Sequence, residues 1–129
     1  MNKTMLIGRL TSTPEISKTT NEKSYVRTTL AVNRRYKNEN GERETDFISI
    51  VLWGKQAESL VSYAKKGTLI SVEGEIRTRN YLDKQNQKHY VTEILILTYD
   101  VLESRATIAH RENTARLEET VLEAEELPF

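Results

Sequence analysis

Apolar residues fall at every second position through five stretches of this chain and at helical spacing in only one. The five are residues 3–10 (KTMLIGRL), 24–33 (SYVRTTLAVN), 45–53 (TDFISIVLW), 68–82 (TLISVEGEIRTRNYL) and 88–102 (KHYVTEILILTYDVL). A period of two puts alternate side chains on opposite faces, which predicts half-buried β-strands. Val26, Thr28, Leu30 and Val32 share a face in the second stretch, Ile48, Ile50 and Leu52 in the third, and Ile70, Val72, Gly74 and Ile76 in the fourth. The exception is 54–67 (GKQAESLVSYAKKG), where Ala57, Leu60, Val61 and Ala64 form one helical stripe. Lys65 and Lys66 suit the negative end of that helix's dipole, and Gly67 suits a left-handed stop. Polar segments 34–44 and 83–88 separate strands, and Asn40-Gly41 marks the first as the tip of a long hairpin.

One helix between the third and fourth of five strands is the plan of an OB-fold, an all-β, five-stranded Greek-key barrel. An SH3-like or other small barrel with a covering helix fits the same element order. In either, the apolar rows fill the interior, and Gly8 and Gly74 mark bends where a side chain would crowd the corner.

Composition adds bounds. A chain of 129 residues with 37% hydrophobic and 29% charged residues accommodates one ordinary globular domain. No apolar run is long enough to cross a bilayer, no secretory signal is visible, and cysteine is absent, so a cytoplasmic protein is expected. The zero net charge conceals an asymmetry. Residues 1–105 carry 17 Lys/Arg against 13 Asp/Glu, whereas residues 106–129 carry 2 against 6. A basic body with an acidic tail points to a polyanion for the one and a different partner for the other.

The outward rows carry the chemistry. Phe47 and Trp53 share a strand face, Arg77, Arg79 and Tyr81 share another, and Tyr36 stands in the basic run Arg34-Arg35-Tyr36-Lys37. A strand aromatic is ordinarily core and a strand arginine ordinarily solvated, but a barrel does not need this combination in order to fold. Flat rings interleaved with cations complement unpaired bases and their phosphates, each stacked base being worth ~1–3 kcal/mol. Catalysis is not expected. Asp46, Glu73 and Glu75 show no metal-ligand motif, and there is no phosphate loop, nucleophile elbow or HExxH.

The stretches NKTMLIGRLTSTPE, TLAVNRRYKNENGERETDFISIVLWGK, KKGTLISVEGEIRTRNY and the terminal EELPF resemble the bacterial single-stranded DNA-binding protein family. The resemblance covers residues 1–103 and the last few positions. It implies an OB-fold domain over 1–104, a homotetramer, and sequence-independent binding of single-stranded DNA without enzymatic activity, cofactor or metal. The roles implied are DNA protection in replication, recombination, repair or uptake, associated with the nucleoid. Matched residue by residue, Tyr36, Phe47, Trp53 and Tyr81 stack on bases. Lys55, Lys66, Arg77 and Arg79 meet phosphates, joined by Arg34, Arg35 and Lys37 of the basic run. Well-known members carry Trp where this chain has Tyr36, Phe47 and Tyr81, so weaker stacking per site is expected. The short segment after the barrel is similar to compact Gram-positive competence paralogues or phage copies.

Residues 105–129 are expected to form a flexible, disordered acidic tail whose tip, Glu125, Glu126, Leu127, Pro128 and Phe129, docks on partner enzymes. Phe129 would fill an apolar pocket, the glutamates would steer encounter, and Pro128 would limit the conformations lost on docking. An RNA-binding or purely protein-binding barrel is the alternative.

Overall fold

The structure of the chain, a computed structural model, describes residues 1–126, with side chains described through residue 118. Its elements are β1 (Thr4–Leu10), β2 (Ser17–Lys18), β3 (Ser24–Lys37), β4 (Arg43–Trp53), α1 (Lys55–Tyr63), β5 (Leu69–Leu82), β6 (Lys88–Val101) and α2 (Arg105–Glu126). The five long strands are those expected, and β2 is a two-residue addition paired with the start of β3. They form one sheet in the order β1-β5-β6-β4-β3-β2, which β1 closes by pairing with β3 at Arg9↔Ala31 and Leu10↔Leu30. All pairings are antiparallel except β4 with β6, where Ile50 meets Ile94 and Val51 meets Leu95. This is the OB-type barrel, with its helix between the third and fourth long strands.

The alternating rows meet inside. Leu10, Val26, Leu30, Ile50, Leu52 and Ile70 are each at most 2% exposed. Burying such side chains contributes ~1.5–3 kcal/mol apiece, which makes this row the main cohesive element. Ala57, Leu60 and Ala64 join the same cluster, with Val61 packed at its margin, so α1 packs its stripe onto the barrel core. Close approach explains Gly8 and Gly74. A Cβ at Gly8 would collide with the Ala31 carbonyl, and one at Gly74 with the Leu95 carbonyl, beside a bulge at Glu73/Gly74.

Three features depart from the pattern along the chain. The helix stops at Tyr63 because Ala64 is already extended (φ −93°, ψ 148°), so Lys65 and Lys66 lie beyond its last turn. Gly67 is left-handed (φ 86°) as expected, but it serves the turn after the helix rather than the helix end. Ile76, read as interior, is 48% exposed. Its strand outlives the barrel: β1 pairs with β5 only as far as Thr4↔Gly74, and from there β5 and β6 continue as a hairpin arm. The strands flanking 34–44 likewise run further than alternation indicates, giving a second arm closed by a turn at Asn38–Gly41.

The third is the segment after the barrel, which starts with the helix α2, and the first turns of that helix are tied down. Ser104 caps it by accepting the Thr107 N–H at 3.1 Å. Ile108 is 4% exposed, and Arg111 donates to the Gly67 carbonyl (3.2 Å) and pairs with Glu103. Glu103 also accepts the Leu69 N–H (2.7 Å) and faces Arg9. Burial alone would raise the Glu103 carboxyl, but the Leu69 N–H and the Arg111 and Arg9 guanidiniums together hold it below the usual carboxylate range. The tail therefore begins as an anchored helix.

Candidate nucleic-acid interface

Strands β3 and β4 and their neighbours β5 and β6 turn one side of each strand outward, and the candidate aromatics lie there. Tyr36 is 80% exposed, Phe47 68%, Tyr81 47% and Trp53 39%. Rings this open contribute little to the core, so folding does not account for them. Tyr36 stands on the β3–β4 arm and Tyr81 on the β5–β6 arm, while Phe47 and Trp53 occupy the two halves of β4. Phe47 borders a groove with Ile7, Arg9, Ala31 and Leu69. Trp53 has a companion in its register partner Tyr25, with ring centroids 5.1 Å apart and planes tilted by 38°. Tyr81 stacks on His89, centroids 5.1 Å apart and planes at 19°, with the Arg79 guanidinium 5.8 Å from its ring.

The expected phosphate-binding cations divide into two groups. Arg35, Lys37, Lys55 and Lys66 have no carboxylate partner among the described residues. Arg34, Arg77 and Arg79 are paired. Arg34 donates to Asp46 (3.0–3.3 Å) and to Glu44 (2.6 Å), a cross-strand brace within its own arm. The hydrogen bond between them raises the Arg34 guanidinium and lowers the Asp46 carboxyl from their ordinary values. Arg77 leans on Glu75 of its own row at 2.7 Å.

Arg79 belongs to a longer-range arrangement that sequence reasoning missed. Its Nε donates to Glu93 Oε1 at 3.2 Å, and Arg27 grips the same carboxylate through Nε (3.2 Å) and Nη2 (3.4 Å). Tyr25 and Arg27 flank the buried Val26 on β3, which turns them to the outward side of the strand. Glu93 gave no signal, being a lone glutamate in an apolar strand. To reach it, Arg27 crosses β4 at its register partner Val51, which is only 2% exposed despite its outward row.

The carboxylates weighed for catalysis do not converge. Asp46 is held by Arg34, Glu73 by Lys3 (2.7 Å) and Glu75 by Arg77, and no group of three metal-ligating side chains exists among the described residues. Of the expected docking tip, the backbone of Glu125 and Glu126 belongs to α2, while their side chains and Leu127, Pro128 and Phe129 lie outside the described residues.

Comparison with known proteins agrees with this geometry. The family model of the single-strand binding protein family matches residues 1–102, the whole barrel. The chain is 56% identical to "Single-stranded DNA-binding protein 2" of Streptococcus agalactiae serotype V, across 99% of this chain and 98% of that one. It is 58% identical to "Single-stranded DNA-binding protein 1" of Streptococcus pyogenes serotype M6 over the same shares. "Single-stranded DNA-binding protein" of Streptococcus mutans is 48% identical over 88% of this chain but 70% of its own length. A match spanning all five long strands, at this identity, leaves no other family for the barrel: the chain belongs to the single-strand binding protein family.

Proposed function

We propose that this protein binds single-stranded DNA without regard to sequence, protects it during replication, recombination or repair, and passes it to partner enzymes. The observation that carries the reading is the set of open rings on the outside of the barrel, Tyr36, Phe47, Trp53 and Tyr81, among cations free of carboxylate partners. Each base offers a π-face whatever its identity, so stacking grips any sequence, and phosphate contacts supply the rest. Of the expected phosphate contacts, Arg35, Lys37, Lys55 and Lys66 have no carboxylate partner among the described residues; Arg77 and Arg79 are oriented by their carboxylates; Arg34 is committed to Asp46 and Glu44. The reading involves binding and hand-over, with no bond made or broken, in the cytoplasm.

Titrating oligo-dT while following Trp53 fluorescence tests this. Emission should be quenched, with log affinity falling against log salt by ~0.7 per neutralised phosphate. Undisturbed emission, or equal competition by duplex or by RNA of the same length, would overturn it.

Two further roles belong to this proposal. Met5 and Ile7 on the outer row of β1 and Leu97 on β6 are apolar and 71%, 60% and 52% exposed, which supports assembly of copies into a homotetramer. Light scattering of Ile7→Glu should show a smaller species than the parent. The tip Leu127-Pro128-Phe129 is proposed to dock on partner enzymes. Its deletion should leave oligo-dT affinity nearly intact and abolish partner capture.

A further inference from the structure

Trp53 and Tyr81 stand on different strands and different parts of the molecule, yet an unbroken series of contacts joins them. Trp53 meets Tyr25 at 5.1 Å, and the Arg27 guanidinium lies 5.2 Å from the Tyr25 centroid. Arg27 and Arg79 share Glu93, and Arg79 faces Tyr81. The series crosses β4, β3, β6 and β5 in turn. β3 and β5 are not neighbours in the sheet, so the two guanidiniums converge on one carboxylate from strands separated by β4 and β6.

The exposures are unequal in a telling way. The Glu93 side chain is 7% exposed, whereas Arg27 and Arg79 are 38% and 39% exposed. Neutralising a buried carboxylate takes one cation; here there are two, leaving a net positive charge at the surface. Arg79 is fastened through Nε, and Arg27 through Nε and Nη2, so Arg27 Nη1 and both Nη atoms of Arg79 have no partner among the described residues. A planar guanidinium held by one edge presents its other donors in a set direction, which suits bidentate recognition of phosphate oxygens. The space beside them is open: a groove runs between Thr29, Ser49 and Val91 with Arg27 and Arg79 in its wall. A second groove, bordered by Ser12, Thr13, Glu15 and Ser17, also has Arg27 in its lining.

We propose that Arg27 and Arg79, both fastened and aimed by Glu93, form a seat for one phosphodiester of the DNA between a base on the Trp53–Tyr25 pair and a base on Tyr81. Arg27 is a phosphate-binding residue, and Glu93 is a positioning residue that does not touch DNA. The inference rests on the single-strand reading above and adds to it a connection between two stacking platforms. It makes a prediction opposite in sign to simple electrostatics. Removing a negative charge near a DNA path ordinarily tightens binding, but neutralising Glu93 releases both guanidiniums and weakens it.

The test is oligo-dT titration of the parent, Arg27→Gln and Glu93→Gln over a salt series, with thermal melting to establish folding. Arg27→Gln, at a half-exposed site, should bind about 5- to 20-fold more weakly at low salt, with a salt slope smaller by ~0.7, the value for one phosphate contact on a single strand. Folded Glu93→Gln should also bind more weakly, and in the double variant with Arg27→Gln the two losses should be less than additive, because release of Arg27 is part of what Glu93→Gln costs. Unchanged affinity and slope in Arg27→Gln, or tighter binding by Glu93→Gln, overturns the seat. If Glu93→Gln does not fold, Arg27→Gln alone decides. A parent that fails to bind oligo-dT removes the underlying reading; a parent that binds beside an indifferent Arg27→Gln removes only this inference.

Discussion

The two hairpin arms are built alike and secured differently. Each leaves the barrel as a continuation of two core strands, and each carries an outward tyrosine and an arginine two residues before it. On the β3–β4 arm, Arg34 closes its charge locally on Asp46 and Glu44, both on the facing strand of the same arm. Tyr36, 80% exposed, has no ring partner among the described residues. On the β5–β6 arm, Arg79 reaches Glu93 and through it Arg27 of β3, while Tyr81 is stacked on His89. The first arm is braced only to itself; the second is tied to the barrel. A ring already held loses less conformational freedom when a base stacks on it, so more of the stacking energy appears as affinity.

The largest expected effect breaks that comparison most directly. Tyr81→Ala should lose affinity for oligo-dT near the upper end of the ~1–3 kcal/mol range for a stacked base, and Tyr36→Ala near the lower end. Equal losses would mean that holding the ring in place does not matter. Next, Arg79→Gln should reduce the salt slope by ~0.7, whereas Arg34→Gln should leave it nearly unchanged because its charge is already answered. A larger slope change from Arg34→Gln would mean that DNA displaces its carboxylates.

The smallest effect concerns acid. Hydrogen bonds from Arg34 to Asp46, and from His89 and the Gln87 N–H to Asp83, lower both carboxyls from their ordinary value. A lowered folded value means that each brace is fully present above the unfolded carboxylate pKa of ~3.9 and is lost as pH falls through the folded value. Protection factors of the amides at both tips, with the intrinsic pH dependence of exchange divided out, should therefore be constant between pH 7 and 5 and fall only below ~4. Loosening of either tip above pH 5 would show that its carboxylate is not the brace. Arg111 should likewise release Glu103 only in that acid range, which exchange at Ile108 would report.

Much of this was readable along the chain. The rows Val26/Leu30 and Ile50/Leu52, the stripe Ala57/Leu60/Ala64 and the turn at Asn40-Gly41 follow from periodicity and turn chemistry, both local properties. The candidate rings Tyr36, Phe47, Trp53 and Tyr81 were found as residues left over when the core was filled. Ile76 misleads because alternation continues through β5 although β1 pairs with it only as far as Gly74. Glu93 was illegible because both of its partners lie on other strands, one of them 66 residues away. The composition of the segment after the barrel allows the helix α2 but does not show what anchors it, because Gly67 and Glu103 belong to the barrel's edge.

By itself the sequence determined which residues turn inward and which stretches pair as strands, since alternation, stripe and turn residues act over a few positions at a time. Only the tertiary structure decided where the barrel ends, which arginines are free, and which carboxylate joins two stacking platforms. Those depend on side chains brought together by closure of the sheet, and no local pattern records which strands will be neighbours.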